Sequence, residues 1–144
     1  MTVRAVLQNK GPAVISVAPT ATVMEIAGII AAQRIGAVLV LTEYGAVAGI
    51  VSERDVVKAL ARHGAQVLDL RASDLMTRAV VTATPDTSVD AAMEMMDAGY
   101  FRHLPVLEGG KLAGIISVRD LVKFRLMQHQ HDLDSLKAYI VQHP

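Results

Sequence analysis

A short polar motif occurs twice in the sequence, each time with a hydroxyl, a guanidinium and a carboxylate. It reads Gly49-Ile-Val-Ser-Glu-Arg-Asp55 in the first copy and Gly114-Ile-Ile-Ser-Val-Arg-Asp120 in the second. Ser-x-x-Asp at a helix start is a capping box, and the free N–H groups of a helix N-terminus attract anions. An arginine in the first turn opposes the helix dipole, so its presence in both copies favours phosphate binding over a surface salt bridge. The residues in question are Ser52, Arg54, Asp55, Ser117, Arg119 and Asp120.

The motif belongs to a longer internal duplication. Val14-Ile-Ser-Val-Ala-Pro19 matches Val80-Val-Thr-Ala-Thr-Pro85. The two prolines are one residue farther apart than the two motif glycines, so one residue is lost between them. The turn Glu108-Gly-Gly-Lys111, which replaces Thr42-Glu-Tyr-Gly45, accommodates this loss, because hairpin loops tolerate changes in length.

Each copy predicts a short strand, a helix, two strands and a second helix. Thr22-Val-Met-Glu25 has the form of a capping box, and Thr87-Ser-Val-Asp90 is its acidic counterpart. We expect Gly36 and Gly99 to stop the helices that follow. The predicted strands cover 37–41 and 47–51 in the first copy, and 103–107 and 112–116 in the second.

These elements predict a mixed α/β (α+β) fold with four segments. We expect repeat 1 over residues 5–62, a linker over 63–75, repeat 2 over 76–126 and a helical tail over 127–144. The tail carries Leu133, Leu136 and Ile140 at near-helical spacing, with Asp132 or Asp134 available as its cap. So narrow an apolar face must dock, either back onto the repeats or onto a second subunit.

The composition excludes several classes of protein. The 144 residues are 52% hydrophobic and 19% charged, with 14 basic and 14 acidic side chains and no cysteine. This balance is too apolar for a disordered chain and gives no basic footprint for nucleic acid or an anionic membrane. Thiolate metal sites and disulfides are excluded, and no apolar run approaches the length of a membrane span. We expect a soluble cytoplasmic protein.

The duplicated residues resemble a tandem pair of cystathionine-β-synthase (CBS) domains, the arrangement called a Bateman module. The resemblance covers about residues 5–125 and rests on features that recur in order: the valine-proline opening, the capped helix, the apolar strand and the Gly-Ile-(Val/Ile)-Ser-x-Arg-Asp motif. Arg102-His-Leu-Pro-Val-Leu107 is also typical of a second-copy strand, whereas the first copy lacks its proline and polar pair. The chain looks like a stand-alone, bacterial-type member.

The resemblance implies two βαββα repeats that pack through their sheets about a pseudo-twofold axis and commonly pair into homodimers. The two clefts between repeats would bind adenosine nucleotides: AMP foremost, with ADP, ATP, NAD or S-adenosylmethionine as alternatives. Asp55 and Asp120 match the family's ribose-binding aspartate, although a helix cap also explains them and both roles can hold. Ser52 and Ser117 would lie near ribose or phosphate. Ile50 and Ile115 would contact adenine through their backbone, unless they are simply core residues.

The far walls of the two clefts are assigned by the same analogy. Asp55's cleft would take Thr77 to Val80 and Phe101, Arg102 and His103, and we expect polyphosphate to prefer it. Asp120's cleft would take Lys10 to Val14 and Ile35 to Ala37. For Arg102 and His103, phosphate contact and an ordinary structural role remain open alternatives.

Two functions are compatible with a fold of this kind. The first is a nucleotide-sensing regulatory module that acts on an unknown protein target, and the second is a dimeric adaptor with vestigial clefts. An enzyme finds no support, because the sequence has no nucleophile–base pair, metal-ligand set or Walker-type loop. His129, His131 and His143 do not predict a metal site, since residues two apart do not share a helix face.

Overall fold

The computed structural model describes residues Met1–Gln142. They form six α-helices, one 3₁₀ helix and five strands in two small sheets. The elements in chain order are α1 (Val3–Lys10), β1 (Ser16–Val17), α2 (Val23–Gln33), β2 (Ala37–Leu41), β3 (Val47–Ser52), α3 (Glu53–His63), the 3₁₀ helix (Gly64–Asp69), α4 (Ala72–Leu75), α5 (Val89–Gly99), β4 (His103–Glu108), β5 (Lys111–Ser117) and α6 (Val118–Gln142).

Each sheet is built on one antiparallel hairpin. The strands β2 and β3 pair with Ala37 opposite Ser52, and β4 and β5 pair with His103 opposite Ser117. The parallel strand β1 adds to β2, whereas its counterpart in the second copy is reduced to one bridge between Ala83 and Val106. The predicted mixed α/β fold is confirmed, and the hairpin strands lie within one residue of their predicted bounds.

The helix caps agree with the sequence prediction at three sites and differ at the fourth. Thr22 and Glu25 form the predicted reciprocal capping box of α2, and the Ser-x-x-Asp boxes cap α3 and α6. The prediction that Thr87 caps α5 is wrong by one residue, because Ser88 is the N-cap and its hydroxyl accepts from the Ala91 N–H at 3.0 Å. The Thr87 hydroxyl instead accepts a hydrogen bond from the Thr84 N–H.

The predicted glycine stops are also corrected. The residues that adopt the left-handed conformation after α2 and α5 are Arg34 and Tyr100, at φ 54° and 56°. Gly36 and Gly99 serve close packing instead. A Cβ at Gly36 would lie 2.8 Å from Cε1 of His103, and one at Gly99 would lie 2.1 Å from the Phe101 ring.

The two repeats exchange their short leading helices. Helix α1 leads into the first repeat but packs on the second, where Val3 and Val6 are buried with Leu104 and Ile116 in one apolar cluster. Helix α4 precedes the second repeat but packs on the first, where Ala72 joins the cluster of Ile26, Val38, Val40 and Val51.

Backbone hydrogen bonds hold both exchanges in the same way. The Val3 N–H donates to the Thr87 carbonyl at 2.8 Å, and the Ala72 N–H donates to the Ala21 carbonyl at 2.7 Å. Neither apolar cluster is therefore complete without residues from the other side of the chain. The sequence pattern predicts no helix at α1 and places α4 within the linker, so both helices are additions to the prediction.

Helix α6 departs from the prediction of a separate tail helix. It runs unbroken from Val118 to Gln142, so neither Asp132 nor Asp134 caps a new helix. The candidate ligand His143 lies outside the described residues. Within residues 1–142, none of the helices combines the length and hydropathy that a membrane span requires.

The exchange predicts unequal tolerance of the two motif glycines. A Cβ at Gly49 would lie 2.9 Å from Cβ of Met76, which is anchored to the backbone, whereas one at Gly114 would meet only the end of the Leu7 side chain at 2.8 Å. We expect Gly49→Ala to lower the free energy of unfolding by about 1–3 kcal/mol and Gly114→Ala to lower it less, as measured by urea denaturation.

Gly28→Ala is the matched control, because a Cβ there meets nothing within 4 Å. As a helix-interior substitution it should raise the free energy of unfolding by up to about 1 kcal/mol. Equal effects at Gly49 and Gly28 would contradict the packing described for α4.

Candidate functional site

The turn between β3 and α3 holds the first polar motif as a closed capping box. The Ser52 N–H and hydroxyl both donate to Oδ2 of Asp55, at 2.8 and 3.1 Å. The Asp55 N–H in turn donates to the Ser52 hydroxyl at 3.2 Å. The box fixes the carboxylate at the start of α3, with its second oxygen, Oδ1, outside these bonds.

The turn between β5 and α6 repeats this geometry and adds a cation. The Ser117 N–H donates to Oδ2 of Asp120 at 2.8 Å, and the Asp120 N–H donates to the Ser117 hydroxyl at 3.1 Å. The ammonium of Lys10, the last residue of α1, donates to the same Oδ2 at 2.6 Å and to the Ile115 carbonyl at 2.7 Å. Burial alone would raise the pKa of Asp120, but the hydrogen bonds from Lys10 and Ser117 outweigh it and hold the pKa below the usual 3.8.

A cavity of about 1180 Å³ opens beside Asp120. Its walls come from both repeats, because α2, the start of β2 and α3 face α1, the start of β4 and the β5–α6 turn across it. The volume lies just above the usual range of small-molecule sites in proteins, about 300–1,000 Å³. The cavity is therefore large enough for a nucleotide.

Its lining is strongly cationic. Among the described residues around it, five carry a positive side chain and two a negative one; these are Lys10, Arg34, Arg102, Arg119 and Lys123 against Glu53 and Asp120. Clustered cations in a cleft raise the local potential and attract anions. The cavity thus combines an acceptor carboxylate with a surplus of positive charge.

His103 lies where the two repeats meet in this cavity. Its ring approaches Gly36, where a side chain would not fit, and the Glu53 carboxylate lies at the same point. Burial lowers the pKa of His103 below the usual 6.5, and the charges of Arg102 and Lys10 lower it further, against the opposing effect of Asp120 and Glu53. The imidazole is therefore neutral at pH 7.

The cavity brings together half of the residues that the sequence singled out. The predicted residues that line it are Lys10, Ala37, Arg102, His103, Ile115, Ser117, Arg119 and Asp120. The assignment of Arg102 and His103 to the cleft of Asp55 is wrong for this cavity. The reason is the hairpin register, which sets His103 directly beside Ser117 in the same sheet.

The other predicted residues lie elsewhere. Thr77 pairs with Ile50 through two backbone hydrogen bonds, at 2.9 and 3.1 Å, beside the Ser52–Asp55 box. Phe101 packs on Gly99 and lines a smaller cavity of about 410 Å³ with Met93 and Met96. The remaining members of the predicted set, which do not line the large cavity, are Val14, Ile50, Ser52, Arg54, Asp55 and Val80.

Sequence reasoning missed three charged residues of the cavity: Arg34, Glu53 and Lys123. Glu53 and Lys123 lie in or one turn after the polar motifs, so the helical period could have placed them on the cleft side. Arg34 carried no such signal, because its position depends on the left-handed end of α2.

The shifted pKa of His103 predicts how stability depends on pH. Because its pKa is lower in the folded state than in the unfolded one, His103 favours folding above pH 6.5, and this contribution is lost as the pH falls through the folded value. We expect the free energy of unfolding to fall less in His103→Gln than in the wild type between about pH 7.5 and pH 5.5. Urea denaturation at both pH values measures this free energy of unfolding.

His131→Gln is the matched control, because His131 is exposed on α6. It should reproduce the wild-type dependence. A steeper fall in His103→Gln than in this control would contradict the burial assigned to the imidazole.

Comparison with known proteins identifies relatives of this chain. The CBS domain profile matches twice, over residues 6–62 and 72–127. The CBS-domain containing protein ATU1752 from Agrobacterium tumefaciens is 46% identical, with a TM-score of 0.84 over 86% of this chain and 92% of that one. The mitochondrial CBS domain-containing protein CBSX3 of Arabidopsis thaliana is 33% identical over 75% of this chain.

The chain spans 54% of that Arabidopsis protein, so it corresponds to about half of the relative's length. Two related structures contain adenosine ligands. The CBS domain protein PAE2072 from Pyrobaculum aerophilum, 29% identical with a TM-score of 0.74 over 83% of this chain and 89% of that one, is complexed with AMP. The CBS domain pair of protein MJ0100, 25% identical with a TM-score of 0.78 over 89% and 98%, is in complex with 5′-methylthioadenosine and S-adenosylmethionine. Two matching profiles over most of its length make this chain a member of the CBS-domain family.

Proposed function

We propose that this chain is a regulatory module that binds an adenosine nucleotide in the cavity beside Asp120. The observation that carries the proposal is that one cavity contains both a capped carboxylate and five cationic side chains. AMP is the foremost candidate, with ATP and NAD next. Relatives with bound AMP and S-adenosylmethionine support this class of ligand.

Each part of such a ligand has a partner of matching chemistry. The Asp120 carboxylate accepts hydrogen bonds from the 2′- and 3′-hydroxyls of ribose, which charge on the acceptor strengthens. The Ile115 backbone lies two residues before the cap and faces the adenine. Arg119 and Arg102, which both line the cavity from the second repeat, bind phosphate, for which guanidinium groups are well shaped.

The box of Ser52 and Asp55 forms a second, different cleft in this proposal. Its capping geometry equals that of Ser117 and Asp120 within 0.1 Å for the shared bonds. The two boxes differ in their surroundings. Beside the first box, the backbone of Thr77 pairs with that of Ile50 and so occupies the edge of β3. We assign the roles of Arg54, Val80 and Phe101 to this second cleft or its surroundings, as the sequence predicted. Val14, which the sequence assigned to the cleft of Asp120, does not line the large cavity.

The module acts by binding rather than by catalysis, as is general for CBS domains. Binding regulates a target only if the ligand prefers one conformation or assembly of the module over another. Because both repeats contribute walls to the cavity, a ligand there stabilises one arrangement of the two repeats. An unidentified protein partner would detect that arrangement.

Helix α6 supports a homodimer as the assembly. A stripe of exposed residues on it, all but one of them apolar, follows alternating steps of four and three, which is the heptad pattern of a coiled coil. The stripe consists of Val122, Leu126, His129, Leu133, Leu136 and Ile140, and its apolar members are 41% to 64% exposed.

Charge favours a parallel pairing of two α6 helices. Asp132 and Lys137 flank the stripe at positions that face each other between parallel chains, and their charges are opposite. In an antiparallel pair the flanking lysines Lys123 and Lys137 would face each other instead. We propose that the second copy of this chain covers the stripe.

Nucleotide binding is tested by isothermal titration calorimetry and thermal shift with AMP, ATP, NAD and S-adenosylmethionine. We expect AMP to raise the melting temperature, and Asp120→Asn to weaken AMP binding about tenfold, because one charge-assisted hydrogen bond contributes roughly 1.5–3 kcal/mol. Asn retains an acceptor for the cap. Asp55→Asn reports separately on the second cleft.

Asp69→Asn, an exposed change in the 3₁₀ helix, should bind as the wild type does and serves as the control. If every nucleotide leaves the melting temperature unchanged at millimolar concentration, the clefts are vestigial. The chain would then be the alternative that the sequence offers, a dimeric structural adaptor.

The dimer is tested by sedimentation velocity. Leu133→Asp puts a charge at the centre of the stripe, so we expect it to shift the protein from dimer to monomer. Val141→Asp is the matched control, since Val141 is 78% exposed but lies off the stripe, and it should remain dimeric. A monomeric wild type, or equal effects of both changes, would refute the assignment.

A further inference from the structure

Lys10 occupies a distinctive place in the cavity. Its ammonium bridges the Asp120 carboxylate and the Ile115 carbonyl, at 2.6 and 2.7 Å. The side chain is 31% exposed and that of Asp120 21% exposed, so the ion pair is partly shielded from water. Partly buried ion pairs of this geometry are stronger than surface pairs.

The two acceptors of Lys10 are the groups to which the proposed function assigns the nucleoside. Asp120 would accept from the ribose, and the Ile115 backbone would face the adenine. The ammonium between them therefore lies in the path of any adenosine ligand. To admit one, Lys10 must give up its bond to the Ile115 carbonyl, and must loosen or leave Asp120.

We propose that Lys10 is a specificity gate that makes this cleft select adenosine ligands with a phosphate over neutral adenosine ligands. A neutral nucleoside displaces the ammonium without offering it a new anion. A nucleotide brings a phosphate that accepts the displaced ammonium, so the ion pair that is lost is replaced. This inference rests on the proposed function and assigns its ligand class.

The surroundings of Lys10 make this exchange feasible. Lys10 ends α1, and the chain then turns at Gly11, whose φ is +99°. The lysine stem is flexible, and its ammonium can move while the helix stays packed on the second repeat. Arg119 and Lys123 line the same part of the wall, so a phosphate there would meet several cations at once.

The corresponding place in the first repeat lacks such a gate. There the edge of β3 is closed by the backbone of Thr77, which bonds to Ile50 in both directions. A backbone pair cannot move to a phosphate as a side chain can. Of the two motif turns, only the one that holds Asp120 therefore has an ammonium that can act as a gate.

The test compares AMP with adenosine by isothermal titration calorimetry on the wild type and on Lys10→Met, which keeps an unbranched side chain one atom shorter and removes its charge. We expect the wild type to prefer AMP, and we expect that preference to shrink about tenfold in Lys10→Met. The distinguishing result is a gain: adenosine should bind Lys10→Met more tightly than it binds the wild type. Lys111→Met, an exposed change at the β4–β5 turn, controls for net charge.

The two affinities distinguish a gate from a plain phosphate contact and from a surface ion pair. If AMP binding weakens but adenosine binding is unchanged, Lys10 is a plain phosphate contact and the gate is refuted. If both affinities equal those of Lys111→Met, Lys10 is a surface ion pair and the gate is again refuted, while the proposed function stands. If neither ligand binds the wild type, the proposed function fails and the gate fails with it. Lys10→Gln, with the melting temperature of each variant, guards against a change in folding.

Discussion

The exchange of α1 and α4 between the two repeats is the constraint on which the rest of the structure depends. Each repeat completes its apolar cluster with a short helix that the chain supplies from before the other repeat. The hydrophobic gain of burying Val3, Val6 and Ala72 is therefore available only when both repeats are folded and adjacent. Two small sheets, neither of which could bury enough surface alone, become one cooperative structure in this way.

The exchange also brings the site together. Because α1 lies against the second repeat, its last residue, Lys10, reaches the turn that holds Asp120. Because α4 lies against the first repeat, the chain that follows it runs along β3 and pairs Thr77 with Ile50. The exchange thus brings an ammonium to one turn and a backbone bridge to the other. The duplicated motifs are alike, and their neighbours make them different.

This difference explains how one module can present two unequal clefts. The capping boxes of Ser52 and Ser117 have nearly identical hydrogen bonds, because both copies have the sequence Ser-x-Arg-Asp. The charge around them is not duplicated, since Gly36 stands where the second copy has Arg102, and Ala37 stands where it has His103. Gly36 leaves room for the His103 ring to cross toward the first repeat, so both polar side chains contribute to a single cavity beside Asp120.

Local order in this protein is determined by the sequence alone. The duplication, the strands of both hairpins and the capping boxes at Thr22, Ser52 and Ser117 follow from residue periodicity and from side chains that bond within three residues, so they were predictable. Resemblance of the same motifs to CBS domains predicted the family. Only the tertiary structure decided which side chains share a cavity and where α1 and α4 pack. Those choices depend on contacts between residues about a hundred positions apart, such as Lys10 with Asp120, and no local pattern encodes them.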